Sequence, residues 1–273
     1  MPDRTYSVLM SVYAKEDAVN LAQSMESIFL QTAPTDDFVL VCDGPLTSEL
    51  NKVIDEYQEQ YPDILHVLRL ERNEGLGNAL NKGLMLCKND LVARMDSDDL
   101  SYPDRCEKEL GLFEAFPELD IVSGTIEEFT DDPEVITGSR SLPASYPEIL
   151  HFSRKRNPFN HPAVMFRKEA VEKAGGYNER FHLFEDYYLW IRMLQKGCHG
   201  ANLKDPILKM RTSESQMLRR GGYRYTKDML AFHRWILRSG WSRPLDFLTG
   251  AVPHAVVCLL PNRLRLRIYQ MLR

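Results

Sequence analysis

Asp96, Asp98 and Asp99 crowd three carboxylates into four residues at the end of a short apolar run, Leu91–Met95, with Pro103 close behind. Hard divalent cations such as Mg2+ and Mn2+ bind anionic oxygens, commonly one or two carboxylates together with phosphate oxygens of a substrate. If the run is a strand, it delivers two acids, two residues apart, to the end of a sheet. That is the arrangement for a metal that grips a diphosphate. The same residues also read as an acidic turn that caps the next helix, with Asp96 or Asp99 accepting backbone N–H groups. A lone D-x-D does not separate the two readings. A second acidic pair, Glu185-Asp186, opens a helical stretch, where the helix dipole favours an anion.

The elements around these acids decide between the readings. Tyr6–Val12 reads as a strand and is followed by a helix over about 17–31, with Leu21, Met25, Ile28 and Phe29 on one face. Phe38–Cys42 is a second strand, ending at Asp43-Gly-Pro. A Ser48-capped helix then runs to Pro62, followed by a strand at Ile64–Leu70, a helix at Leu76–Cys87 and the strand Leu91–Met95. Strands apolar throughout, alternating with helices, predict a doubly wound parallel sheet. In such sheets ligands sit beyond the carboxyl ends of the strands. Ser11-Val-Tyr13, Asp43, the Asn73–Gly83 segment and Asp96–Asp99 are therefore expected on one edge. Four polar clusters at four strand ends favour a ligand site over a turn.

Past a further strand at Ile121–Gly124 the pattern loosens. Residues 125–160 are polar and turn-rich and predict a mobile loop or acceptor-side insertion. A strand at Ala163–Phe166, a helix over Lys168–Ala174 ended by Gly175-Gly176, and a helix over Phe184–Lys196 follow.

The chain has 273 residues, of which 44% are hydrophobic and 27% charged, enough for a large α/β core. Its net charge of −5 is unevenly spread. Residues 209–273 carry 13 Lys+Arg against 3 Asp+Glu, which leaves −15 for residues 1–208. The acidic body speaks against nucleic acid as a partner, whereas the basic end suits anionic lipid or another polyanion. Five scattered cysteines without a C-x-x-C pair predict a reduced, cytoplasmic protein without a zinc site. No signal peptide is visible, and no stretch reaches the ~18 apolar residues of a membrane span.

Taken in order, these clusters resemble the inverting family-2 glycosyltransferases with the GT-A fold. Ser11-Val-Tyr13 is similar to the family's first-strand segment. Asp43-Gly44 is similar to the D-G of its D-D-G-S element, and Asn73-Glu-Gly75 through Asn81-Lys-Gly83 to N-x-G followed by A-x-N-x-G. Asp96-Ser-Asp98-Asp99 with Pro103-Asp-Arg105, then His161-Pro162, then Glu185-Asp186 with Trp190 and Arg192, complete the set. The likeness covers roughly residues 6–215. Two positions depart from it: Pro45 follows Asp43-Gly44, and Leu80 stands where many members have Arg. The Q-x-x-R-W signature of processive members is absent; Gln216-Met-Leu-Arg219-Arg220 lacks the Trp, so addition of one sugar is expected.

The resemblance implies an α/β, Rossmann-like, mostly parallel sheet flanked by helices over residues 1–215, and a basic helical extension over 216–273. It implies a metal-dependent, inverting glycosyltransferase of hexosyl or N-acetylhexosaminyl type. A sugar would pass from a nucleoside-diphosphate donor, a UDP-sugar, to a glycan or lipid-linked acceptor in bacterial surface-polysaccharide assembly. Asp98 and Asp96 would hold Mn2+ or Mg2+, Asp98 directly. Asp43 would accept the uracil N3–H, with Tyr13 stacked on the base. Ser11, Asn73, Gly75 and Asn81 would serve ribose and phosphate, while His161 and Glu185 would touch donor or acceptor. Asp186 would be the base that deprotonates the acceptor hydroxyl as it attacks C1. Arg211 with Ser213 and Ser215 would close over the diphosphate.

Two other readings remain open. A sugar-nucleotidyltransferase on this fold would want a Gly-rich, basic loop after the first strand, and Ser11–Asp17 is neither. A non-catalytic nucleotide-sugar-binding scaffold would not need Glu185-Asp186. At the C-terminal end, a helix over 223–239, an apolar stretch over 247–260 and the arginines from Arg263 suit an interfacial element that docks at the inner face of the cell membrane. The same segment also reads as a helix packed back on the domain.

Overall fold

β1 (Ser7–Val12) has side chains buried on both faces, and the rest of the sheet grows outward from it. In this computed structural model, which describes residues 5–181, 183–213, 221–261, 264, 265 and 268, β1 pairs in parallel with β2 (Asp37–Cys42) and β4 (Leu91–Asp96). β3 (Leu65–Arg69) extends the parallel set beside β2. The helices α1 (Ala18–Phe29), α2 (Ser48–Gln60) and α3 (Leu76–Leu86) make the crossovers that parallel strands require.

Alternation along β1 divides the core. Val8, Met10 and Val12 face Leu21, Met25 and Ile28 of α1 and Leu50 and Ile54 of α2. Leu9 faces the other way, toward Ala79, Leu80 and Leu84 of α3. α3 lies so close to the sheet that a Cβ on Gly83 would fall 2.5 Å from Leu9 and 2.6 Å from Val41, so this position has no room for a side chain.

Beyond β4 the sheet changes character. β5 (Leu100–Ser101), α4 (Arg105–Ala115), β6 (Leu119–Phe129), β7 (Gly138–Arg140), α5 (Tyr146–Phe152), β8 (Val164–Arg167), α6 (Lys168–Lys173), α7 (Glu185–Gln195) and β9 (His199–Arg211) complete the order β3-β2-β1-β4-β8-β6-β9-β5, with β7 on β6. β8 enters antiparallel to both β4 and β6, while β6 and β9 run parallel. The parallel sheet expected from the sequence is thus its N-terminal half, and the remainder is mixed.

The reading of residues 125–160 as a mobile loop is overturned. β6 continues to Phe129 with Ile126 and Phe129 fully buried, and α5 starts from a Ser145–Glu148 capping box. Glu127 and Glu128 disguised the strand. Glu127 accepts the Tyr102 hydroxyl and Glu128 is buried, so neither charge marks a solvent loop.

α8 (Gly222–Arg238) follows, then α9 (Pro244–Asp246), one π-helical turn (Phe247–Ala251) and α10 (Val252–Leu259). Met229, Phe232 and Ile236 of α8, with Ala251 and Ala255, pack on Tyr187, Tyr188 and Ile191 of α7. The C-terminal helices therefore rest on the helix that carries Glu185 and Asp186. No helix among the described residues is long and apolar enough to cross a membrane.

Candidate active site

The three acids converge. Asp96, Asp98 and Asp99 each offer a carboxylate oxygen, all within 4.8 Å of one another. Asp96 ends β4 opposite Ser11 of β1, and its carboxylate pairs with Arg94, two residues back on the same face of the strand. Arg94 is buried, while the Asp96 side chain is 37% exposed. Asp99 is buried, and its Oδ1 accepts the backbone N–H of Arg211 at 2.8 Å, whereas its Oδ2 has no protein partner. Asp99 therefore ties the acidic loop to the end of β9 and does not cap α4. The Arg211 side chain donates to the Asp98 carbonyl at 3.1 Å and to Gln23 at 3.0 Å, so it braces the same loop from outside.

Burial, then the charges of Asp96 and Glu16, push the Asp98 carboxyl up to about 7. Burial with Asp98 and Asp96 pushes Asp99 well above the usual carboxylate range. Three like charges thus crowd together with the Arg94 cation paired to one of them, and the donor set is the all-oxygen one that a hard divalent cation prefers. The residues fit Mn2+ or Mg2+. Behind them the fully buried Arg105 donates to the carbonyls of Arg94, Pro162 and Val164 and pairs with Glu109 at 3.1 Å, which locks α4 to β4 and β8.

Asp43-Gly44 and Asn73-Glu-Gly75 form one interlocked turn. The Asp43 carboxylate accepts the backbone N–H of Glu74 at 2.7 Å and of Gly75 at 3.1 Å, just ahead of α3. Asn73 donates in return to the Asp43 carbonyl at 3.1 Å. Gly44 sits at φ 90°, and a Cβ there would lie 2.6 Å from the Asn73 nitrogen, so only glycine fits. Tyr13, 39% exposed, stands at the end of the neighbouring strand. Asn81 is placed differently from its motif neighbours. Its amide donates to the Tyr177 carbonyl at 2.8 Å and accepts the Tyr177 N–H at 2.8 Å, clamping α3 to the turn after Gly175-Gly176. Leu80 is fully buried in the core.

Tyr177 is the hub between the two acidic groups. Its hydroxyl lies 3.0 Å from His161 Nε2, and both rings pack against Trp190, edge-on. Burial raises the Tyr177 hydroxyl; Arg94 opposes this, and the charges of Asp186 and Asp96 add to it, so both carboxylates lie within electrostatic reach of the one phenol. Burial and the Arg94 cation hold His161 well below the usual imidazole range. It is neutral at pH 7.

At the start of α7, Asp186 Oδ2 accepts from Asn157 Nδ2 at 2.7 Å and Oδ1 accepts the Tyr187 N–H at 2.7 Å. Both oxygens of this carboxylate are thus held in a fixed direction at the first turn of α7. Glu185 accepts the N–H of Leu183 at 3.0 Å, and Leu183 holds φ 68°. The Glu185 side chain lies 4.0 Å from where a Gly77 Cβ would be, so the two helix starts, α3 and α7, face each other.

The structure thus brings Ser11, Asp43, Asn73, Gly75, Asp96 and Asp98 to the C-terminal edge of the parallel strands, with His161, Glu185 and Asp186 beside it and Asn81 set back as a clamp. Ser215 and 216–220 lie outside the described residues. Sequence reasoning missed Arg94, Tyr177, Asn157 and Glu16. An arginine inside the apolar strand Leu91–Met95 was a usable signal, since a charge at that depth needs a partner. Glu16, whose carboxylate accepts the Ser97 hydroxyl at 3.3 Å, and Asn157 carried no signal.

Residues 7–175 match glycosyl transferase family 2. The chain is 37% identical over 268 residues to an Escherichia coli UDP-Gal:alpha-D-GlcNAc-diphosphoundecaprenol beta-1,3-galactosyltransferase, covering 97% of this chain and 95% of that protein. It is 39% identical over 229 residues to the amylovoran biosynthesis glycosyltransferase AmsE of Erwinia amylovora, covering 84% of each. In fold it is similar to the mannosyltransferase PcManGT of Pyrobaculum calidifontis, solved with GDP-Man and Mn2+. The TM-score is 0.67 at 18% identity, over 98% of this chain and 79% of that one. With the ordered acids, the interlocked turn and the sheet all in place, this chain belongs to glycosyl transferase family 2 and has the GT-A fold.

Proposed function

We propose that this protein transfers one hexose, with inversion, from a UDP-sugar to a lipid-linked glycan at the inner face of the membrane, in assembly of a surface polysaccharide. The observation that carries the reading is a carboxylate triad suited to a cation, Asp96, Asp98 and Asp99, within electrostatic reach of the same phenol, Tyr177, as the separately held carboxylate of Asp186. The likeness to the galactosyltransferase of a diphosphoundecaprenol acceptor supports galactose as the sugar and a lipid carrier as the acceptor.

In this reading residues 1–215 form the catalytic domain and 216–273 its extension. Asp43 keeps lone pairs beyond its two backbone bonds and accepts the uracil N3–H, while Tyr13 stacks on the base. Ser11, Asn73 and the Gly75 backbone line the ribose and phosphates, and Asn81 holds their helix. Asp98 and Asp96 hold Mn2+ or Mg2+, which when bound neutralises charge on the departing diphosphate. Asp186 takes the acceptor hydroxyl proton as the oxygen bonds to C1 and the C1–O bond to the diphosphate breaks. Asn157 fixes that carboxylate. Glu185 and the neutral His161 contact sugar hydroxyls.

The test is a donor screen with Mn2+, covering UDP-, GDP- and dTDP-sugars, read by thermal shift and by transfer to a lipid-diphosphate-linked GlcNAc. UDP-galactose should stabilise the protein and be consumed. Stabilisation by a GDP-sugar alone would remove the uracil role of Asp43, and no transfer from any donor would leave a binding scaffold.

A further inference from the structure

The surface of segment 244–259 is at odds with its exposure. Leu245, Leu248, Val252, Val256 and Leu259 recur at spacings of three and four, so they form one face of the continuous helical run. They are between 38% and 67% exposed, while Ala251, Ala255 and Cys258 on the other side are buried. No Asp, Glu, Lys or Arg occurs between Asp246 and Pro261. A solvent-facing helix ordinarily puts charge on its outer face, and an exposed run of aliphatic side chains marks a surface with a partner. No described residue covers the stripe.

Its flanks are basic. The run Arg154-Lys155-Arg156, just after α5, lies against this helical segment: Lys155 pairs with Asp246 at 3.5 Å, and a Cβ on Gly250 would lie 3.1 Å from the Lys155 side chain. Arg154 lies within electrostatic reach of Asp246, and Arg156 within reach of His254. Arg243, exposed, caps the other end at the start of α9. An exposed apolar stripe on a helix flanked by arginines is the chemistry of a helix lying in the headgroup plane of an anionic bilayer. The acidic body of the protein would be repelled by such a surface, so the charge asymmetry gives the contact one orientation.

We propose that Leu245, Leu248, Val252, Val256 and Leu259, with Arg154, Arg156 and Arg243 flanking the segment, form the face on which this protein lies on an anionic lipid bilayer. The basic run is continuous with the site. Asn157, the next residue in the chain, donates to Asp186, and the docking helix packs through Ala251 and Ala255 on α7, which begins with that acid. Docking therefore holds the base near the headgroup layer, where a lipid-borne acceptor carries its diphosphate. The need for such a surface rests on the lipid-linked acceptor proposed above, whereas the surface itself does not.

Flotation of the full chain with vesicles tests it. The protein should bind phosphatidylglycerol–phosphatidylcholine vesicles, bind phosphatidylcholine alone weakly, and be released in part by high salt. The double variant Leu248→Asp/Val256→Asp, whose sites are exposed, should keep the parent's melting temperature and lose roughly tenfold or more of its vesicle affinity. Arg154→Gln/Arg156→Gln should lose severalfold and with it most of the salt dependence; this pair keeps the test alive if the aspartates disturb folding. Unchanged flotation of both variants overturns the proposal, as does a parent that never floats. A concentration-dependent dimer that the aspartate pair abolishes, without vesicle binding, would assign the stripe to a second copy of the chain instead. Sugar transfer to a water-soluble acceptor is measured in parallel. Transfer without flotation sinks the docking face alone, and flotation without any transfer sinks the proposed function alone.

Discussion

The two halves of the site are built on different principles. On the proposed donor side, Asp43, Asn73, Gly75 and Asp96 stand at ends of parallel strands or the turns just beyond them. There backbone groups hold the Asp43 and Asn73 side chains, and Arg94 of the same strand holds Asp96. On the proposed acceptor side, Glu185 and Asp186 begin a helix reached through a loop with a left-handed leucine. The Asn157 amide and the Tyr187 N–H hold Asp186, the Leu183 N–H holds Glu185, and the helix they begin shares an aromatic layer with the C-terminal helices. A nucleoside diphosphate is the same object for every transfer, so a rigid frame suits it. Acceptors vary, and a helix start that lies outside the sheet can be re-aimed without disturbing it.

The sharpest way to break the comparison is Asp186→Asn. The carboxamide keeps the shape and the Asn157 contact with one flip, so UDP binding should persist while kcat falls by roughly a thousandfold or more. Undiminished transfer would remove Asp186 as the base and leave the acceptor side without a catalytic group. Asp98→Asn strikes the donor half. Transfer at a fixed Mn2+ concentration should drop about a hundredfold and be restored in part by more Mn2+, whereas the Asp186 variant gains nothing from added metal. Identical metal response in the two variants would erase the division of labour.

Acid should loosen the C-terminal layer. His233 of α8 packs against Tyr187 and Phe232, and burial together with His254 lowers its pKa to about 4. The folded value lies below the ordinary 6.5, so the unfolded chain takes up the extra proton and stability falls as the pH drops from 6.5 towards 4. The loss is about 3 kcal/mol once that window is crossed. His233→Gln should flatten the dependence of Tm on pH in that window, and an unchanged slope would point to another group. The smallest effect expected is from Asn157→Ala. Loss of the hydrogen bond that aims Asp186 should lower kcat about tenfold, move the acidic limb of the pH–rate profile and leave the UDP-sugar KM alone. A change in KM alone would move Asn157 to the donor side.

Legibility in the sequence followed the same division. β1 and β2 are buried along almost their whole length and read as continuous apolar words, and β3 and β4 are apolar enough to follow in the same alternation. The polar residues after each strand meet at one edge, so β1 to β4 and their acids were readable. What failed depended on non-local pairing. β6 beyond Gly124 carries two glutamates that only the Tyr102 hydroxyl and a buried pocket explain, and β8 turns antiparallel because of how the chain returns. Asn81 belonged to a recognisable motif yet serves Tyr177, a partner 96 residues away that no spacing rule could name. Asn157 looked like any loop asparagine until α7 stood beside it.

The lock between Asp43-Gly44 and Asn73-Glu-Gly75 has a consequence for engineering. The residue that would read the base and the turn that would meet the phosphates share backbone hydrogen bonds and a gap too narrow for a methyl group. Two segments thirty residues apart are thus a single interchangeable part. Donor preference borrowed from a relative must be transplanted as that pair, because either half fitted alone would meet a partner cut for a different key.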